Sequence, residues 1–252
     1  MNIIENTIIL GDCLENLKQI TDNTFDVAFT SPPYGDKGDK FYEEIQKTKT
    51  SRNPFGVHNK YLTFESHFGE DWFNWQVEII DELLRVCKKW VIYNIGAISY
   101  NRENVYKIIG HYADRIQDDI IWHKPNGLPC WNEGSISNTY EHILLIKKNK
   151  NDKIKVHSKD FRNVITKIGV NSQNEFAEIH HAVMPKKLAD LCIYEFTDDG
   201  DFVIDPFMGM GTTAMSCIDL KRKYFGFEIC EEYYNKCMER IKNRNMIYDI
   251  FN

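Results

Sequence analysis

Residues 201–228, DFVIDPFMGMGTTAMSCIDLKRKYFGFE, confine this chain to a narrow set of folds. An apolar run that reads as a strand stops at Asp205-Pro206-Phe207, because proline cannot donate to a sheet ladder. A Gly-x-Gly turn follows at Gly209 and Gly211, where the backbone can turn tightly and approach a ligand closely. Thr212-Thr213 stands where a helix would start, and a second strand, KYFGFE, ends in Glu228. That acid is placed to accept hydrogen bonds from ribose hydroxyls, as in nucleotide-binding βαβ units. Strand, turn, helix, strand and acid in this order imply an adenosine-containing cofactor. A dinucleotide calls for GxGxxG at a phosphate-binding helix start; here the third glycine is missing and Asp205 would set a carboxylate against phosphates. A cationic or amine-bearing ligand suits that carboxylate better. No GxxxxGK[ST] occurs, which excludes a P-loop.

A second feature closes another strand. In DVAFTSPPYGDKGD, residues 26–39, the run 26–30 ends at Ser31-Pro32-Pro33-Tyr34. Two prolines fix their own φ and cannot continue a ladder, so the stretch makes a stiff turn that presents carbonyls and an aromatic ring. Further strands are predicted near 7–11, 90–95, 115–122, 141–147, 201–205 and 223–228, giving seven in all. Helical periodicity is clearest at 73–88, where Trp75, Ile79, Leu83 and Val86 share a face, and recurs near 186–196, 212–221 and 231–243. Alternating strands and helices imply βαβ units and a mostly parallel sheet. The stretches 36–70 and 124–180 are irregular, polar and punctuated by Gly, Pro and Asn, which makes them candidates for substrate recognition.

Joining the ends on paper orders the motifs. Residues 201–252 followed by 1–34 give a continuous doubly wound half-sheet whose strand C-terminal ends carry Asp205, the glycine turn, Glu228, Gly11-Asp12 and Ser31-Pro32-Pro33-Tyr34. Ligands bind at that edge of open α/β sheets, so both motifs can share one cleft in a permuted chain.

With these motifs the sequence resembles the S-adenosylmethionine-dependent amino-methyltransferases of DNA, in the permuted arrangement called the β group. The resemblance covers nearly the whole chain: GDCLENL (11–17), TSPPY (30–34), IIWHKPN (120–126), YEHILLIKK (140–148), HHAVMPKKLADLCI (180–193) and 205–228. His181 departs from it, since proline more often follows the histidine there. The resemblance implies a Rossmann-like methyltransferase fold in the α/β class, a seven-stranded mostly parallel sheet with helices on both faces, formed by 1–252 as one domain with 36–70 and 124–180 as DNA-recognition insertions. It implies S-adenosyl-L-methionine as cofactor and double-stranded DNA as substrate. The Ser31 side chain and Pro32 carbonyl, held by Pro33, would accept from an exocyclic amine, and Tyr34 would stack on a base taken out of the duplex. Asp205, Phe207, Gly209, Gly211, Thr212, Thr213 and Glu228 would line the cofactor. Asp12 would accept from its adenine, or else cap the helix that follows. Trp122 and Lys124 would border the base pocket or a phosphate, with core packing an equal reading for Trp122. Serine before PPY goes more often with cytosine N4, aspartate or asparagine with adenine N6. The favoured activity is therefore N4-cytosine methylation. N6-adenine methylation, an RNA or protein amino-methyltransferase, and a non-catalytic partner subunit are the alternatives.

Charge bears on the nucleic-acid reading. The net charge is −6, yet Lys47, Lys49, Arg52 and Lys60 lie in a stretch without an acid, and eight basic residues, Lys153 and Lys155 among them, lie between Lys147 and Lys167 against Asp152 and Asp160. Two basic stretches on an acidic body could steer a polyanion to one face. On charge alone, solvated loops are an equal reading; with the resemblance, Lys47, Lys49, Arg52, Lys124, Lys153 and Lys155 are expected to contact DNA. The seven cysteines are scattered without a CxxC pair, which argues for reduced thiols in a cytoplasm and against a zinc site; adjacent His180 and His181 would diverge. No apolar run suits a signal peptide or a membrane span. Pro129-Cys130 and Glu103-Asn104-Val105 resemble motifs of cytosine-C5 methyltransferases, but their order along the chain is wrong. A cognate restriction endonuclease is the protein partner to be expected, with the enzyme itself a monomer or homodimer.

Overall fold

The computed structural model describes residues 3–34, 69–98, 101–127, 136–170 and 183–251, with side chains to Arg244. In chain order these form β1 (Thr7–Leu10), α1 (Cys13–Leu17), β2 (Phe25–Thr30), α2 (Gly69–Val86), β3 (Cys87–Ile95), α3 (Arg102–His111), β4 (Ile116–His123), β5 (Tyr140–Lys147), β6 (Val164–Ile165), α4 (Lys186–Phe196), β7 (Phe202–Asp205), α5 (Thr212–Asp219), β8 (Lys223–Glu228) and α6 (Glu231–Phe251). The sheet order is β1-β8-β7-β2-β3-β5-β4-β6. All neighbours are parallel except β5, which runs antiparallel to both β3 and β4.

The strands are apolar nearly end to end because both faces are covered. Ala28, Tyr93, Leu144, Ile204 and Phe225 pack toward α1, α2 and α3. Their chain neighbours Phe29, Ile92, Leu145, Val203 and Tyr224 pack toward α4, α5 and α6. This is the Rossmann-like α/β fold, and each of the seven expected strands is present. An eighth, β6, is a two-residue edge strand on β4, too short to leave a pattern in the sequence. Helix α3 also went unread, since it buries only Asn104, Val105 and Ile108. In α2 the buried stripe is led by Trp72 and Gln76, with Trp75 only half-buried.

Topology places the cleft. From β7 the chain proceeds outward to β8, whereas from β2 it proceeds outward to β3 on the other side. β7 and β2 pair directly through Val203–Val27 and Ile204–Ala28. Their carboxyl ends therefore flank the switch point of the sheet, where open α/β folds bind ligands. Among the described residues no helix is long and apolar enough to cross a membrane.

Candidate active site

The loop after β7 is organised by Asp205. Its buried carboxylate accepts from the Thr30 hydroxyl (2.8 Å), the Thr213 hydroxyl (2.5 Å) and the Phe207 amide (3.0 Å). One side chain thus ties the end of β2 to the start of α5 across the switch point. Gly226 on β8 permits this approach: a Cβ there would stand 2.5 Å from the Asp205 carbonyl and 2.3 Å from Met208 Cε. Gly209 and Gly211 take φ of +53° and +78°, a region that disfavours side chains. The Gly209 amide and the Cys230 amide each donate to one oxygen of Glu228 at 2.7 Å. Each of those oxygens keeps a second lone pair. Beside Glu228, Leu10 and Ile229 leave apolar surface at the same edge, 43% and 44% exposed. Phe207 is half-buried against Trp75 of α2.

Burial raises the Glu228 carboxyl above its usual range and pushes that of Asp205 from 3.8 up to about 6. A carboxyl whose pKa is higher in the folded chain adds stability below pH ~4, and this is lost as pH rises through ~6. Unfolding free energies of the ligand-free protein are therefore expected to contain a component that falls across this range and that Asp205→Asn, which cannot titrate, lacks. Parallel pH profiles for the two proteins would show that Asp205 ionises as in the unfolded chain.

The turn after β2 is fixed through its carbonyls. Trp72 Nε1 and Gln76 Nε2, on the buried face of α2, donate to the Pro33 carbonyl at 3.2 and 3.1 Å. Gln76 is itself held by the Tyr93 hydroxyl. The buried Asn101 amide donates to the Tyr34 carbonyl at 2.8 Å and to the Gly96 carbonyl at 3.0 Å. Among the described residues no hydrogen bond uses the Pro32 carbonyl, and the half-buried Ser31 hydroxyl reaches only the Tyr34 hydroxyl, at 3.5 Å. Two acceptors are left at a turn whose Pro33 and Tyr34 carbonyls are clamped. The Tyr34 hydroxyl donates to Glu141 Oε2 at 2.6 Å, where Asn94 and Lys124 also converge.

Other expected residues lie differently. Asp12 caps α1 by accepting from the Glu15 amide at 2.9 Å, and Thr212 and Thr213 are buried, Thr213 with its hydroxyl turned inward to Asp205. Trp122 is a core residue, 3% exposed, with its indole donating to the Ile168 carbonyl. Lys124, expected to border the base pocket or a phosphate, places its ammonium 2.9 Å from Glu141 with a side chain only 15% exposed. Lys153 and Lys155 flank Ile154, whose main chain pairs with Gln117 at the start of β4. That is the edge opposite Ser31, roughly 20 Å down the strand from His123, so Lys153 and Lys155 stand away from the cleft edge. Lys148, from the same basic run, donates to the Arg85 and Cys87 carbonyls at the end of α2. Lys47, Lys49, Arg52, Pro129-Cys130 and His180-His181 lie outside the described residues. Glu103-Asn104-Val105 is a turn of α3, with Val105 in the core. Burial pushes the Cys192 and Cys237 thiols up to about 12, which suits inert packing rather than nucleophilic attack.

Sequence reasoning missed Thr30, Gln76, Asn94, Asn101 and Glu141. A signal existed for three of them: Gln76 interrupts the apolar stripe of α2, Asn94 interrupts the apolar end of β3, and Glu141 precedes the apolar run of β5.

Comparison with known proteins adds the following. A family described as DNA methylase, the N6/N4 methyltransferases, matches residues 25–239. The type II methyltransferase M.HinfI of Haemophilus influenzae is 26% identical over 263 residues, 96% of this chain and 70% of that protein. The orphan methyltransferase M.BamHII of Bacillus amyloliquefaciens is 29% identical over 250 residues, 90% of this chain and 92% of that protein. Among solved structures, PvuII DNA methyltransferase (cytosine-N4-specific) superposes with a TM-score of 0.68 at 18% identity, covering 92% of this chain and 84% of that one. At that identity the likeness is one of fold.

Proposed function

The chain belongs to the DNA methylase family, and we propose that it transfers a methyl group from S-adenosylmethionine to the exocyclic N4 of cytosine in a base flipped out of duplex DNA. The observation that carries this reading is the Asp205 bridge, which locks the glycine loop and the Ser31-Pro32-Pro33-Tyr34 turn into one cleft. When bound, S-adenosylmethionine supplies an electrophilic sulfonium methyl. The residues present fit it: Glu228 keeps lone pairs for two ribose hydroxyls, and Leu10 and Ile229 offer apolar surface to an adenine.

An exocyclic amine is a poor nucleophile because its lone pair is delocalised into the ring. The Ser31 hydroxyl and the Pro32 carbonyl accept from its two hydrogens and hold the nitrogen toward a tetrahedral shape with the lone pair free. A clamped turn does this without reorganisation at the moment of reaction. With the cofactor bound, its methyl would pass to that nitrogen as the sulfonium becomes a neutral thioether, and one amine proton would leave to water. Tyr34 stacks on the base. A neutral serine hydroxyl, where a carboxylate or amide would favour adenine, supports cytosine. DNA contacts fall to the stretches 36–70 and 124–180, with a restriction endonuclease as cellular counterpart. Methyl transfer from tritium-labelled S-adenosylmethionine into unmethylated duplex DNA, with none into RNA or protein, is the expected result. Label in RNA or protein alone would overturn the substrate assignment.

A further inference from the structure

We propose that Glu141 is the positioning residue of Tyr34, holding the aromatic platform of the base pocket from a strand that carries none of the motif. The inference rests on the methyl-transfer reading above. The Tyr34 hydroxyl donates to Glu141 Oε2 at 2.6 Å. Asn94, 1% exposed at the end of β3, donates through one amide nitrogen to that same oxygen (2.7 Å) and to the Tyr34 hydroxyl (2.9 Å). Lys124, one residue past β4, donates to the other oxygen, Oε1, at 2.9 Å. A carboxylate this buried needs a counter-charge and a full set of donors. Lys124 supplies the charge on one oxygen and leaves the second for the tyrosine.

Three details indicate that the cluster serves orientation more than stability. The Asn94 carbonyl oxygen is buried and has no partner among the described residues. Turning the amide over would aim that oxygen at a carboxylate, so its orientation is dictated by Tyr34 and Glu141 at the expense of its own bonding. Gly96 leaves the room the ring occupies: a Cβ there would stand 2.8 Å from Tyr34 Cε2 and 3.4 Å from Glu141 Cγ. Burial first, and then the charge of Glu141, keeps the phenol well above its usual range, so the hydroxyl remains a donor. The ring is thereby fixed at its tip by Glu141 and Asn94, along its edge by Gly96, and at its root by Asn101. A rigid ring held by supporting hydrogen bonds is what a stacking platform requires.

A glutamine at 141 does not reproduce the carboxylate's contacts: its amide nitrogen would face the Lys124 ammonium, or would require the Asn94 amide to turn over and withdraw its donor from Tyr34. Three variants of the full chain test the proposal: Glu141→Gln, Tyr34→Phe and the double variant. The measurements are kcat and KM for transfer into unmethylated plasmid DNA, with the dissociation constant for S-adenosylmethionine from calorimetry. Glu141→Gln is expected to lower kcat about tenfold or more with cofactor affinity within about twofold, and to add less than about twofold in the Tyr34→Phe background, because a residue acting through the hydroxyl has nothing to act on once it is gone. Full multiplication of the two effects would overturn the proposal. So would wild-type kcat in Tyr34→Phe alone, a variant that keeps the ring and the Lys124–Glu141 pair and so stays informative if Glu141→Gln does not fold. Absence of transfer into DNA by the wild-type protein is a separate outcome; it removes the methyl-transfer reading and this inference with it.

Discussion

Ser31→Ala is expected to lower kcat for methyl transfer by about 100-fold or more while leaving the dissociation constant for S-adenosylmethionine within about twofold. The asymmetry follows from where the hydroxyl sits. Its one contact among the described residues is the Tyr34 hydroxyl at 3.5 Å, too long for a strong hydrogen bond. Truncation therefore removes little structure. The turn stays clamped by Trp72, Gln76 and Asn101, and the glycine loop stays tied to β2 through Thr30 and Asp205. On the proposed mechanism, what disappears is one of two acceptors for the amine, and a single preorganised hydrogen-bonding group in a site is worth about two to three powers of ten. Single-turnover kinetics with calorimetric cofactor titration separate the two quantities. A fall in cofactor affinity with a parallel fall in rate would move Ser31 into the cofactor pocket, and an unchanged rate would take its hydroxyl out of the reaction.

The second large effect is expected at Gly211. Alanine there must adopt φ near +78°, at a cost of about 1–2 kcal/mol. Its Cβ would also stand 2.3 Å from Cys237 Sγ on α6, adding about 1–3 kcal/mol of overpacking. Because this glycine sets the start of α5 and the loop facing the cleft, the strain can be relieved only by moving the cofactor loop. Gly211→Ala is expected to weaken S-adenosylmethionine binding at least about tenfold and to lower Tm by roughly 5–15 °C. Adding Cys237→Ala should recover the packing share and leave the backbone share. A single variant that binds cofactor and melts like wild type would show that this loop does not hold the cofactor.

Much of this arrangement could be read from residue order. Strand-ending motifs at Asp205, Glu228 and Tyr34 are local signals, and the alternation of strands and helices orders them along one sheet edge. Pairing β7 with β2, with 171 residues between Thr30 and Phe202, needed the permuted reading, and the structure bears it out. What stayed hidden depends on strand direction and on side chains from distant elements. Where the basic run from Lys147 lies relative to the cleft depends on β5 being antiparallel, which delivers Lys147 beside Trp90 at the far edge. Asp205 reads as a ligand-facing acid, and its role as a brace, accepting from Thr30 of β2, Thr213 of α5 and the Phe207 amide, shows only in the fold. Lys124 reads as a free cation because its partner, Glu141, is 17 residues on and across a strand pair. Buried polar residues within apolar runs, such as Gln76, Asn94 and Glu141, are the trace such networks leave in a sequence. Their partners are fixed only by the fold.

The measurement that bears most directly on the central claim is the identity of the modified base. Unmethylated genomic DNA would be incubated with the protein and S-adenosylmethionine, digested to nucleosides and analysed by mass spectrometry. N4-methylcytosine is the predicted product. N6-methyladenine in its place would contradict the assignment of the base while keeping the cleft and its chemistry, and DNA without any methylated base would contradict the account as a whole.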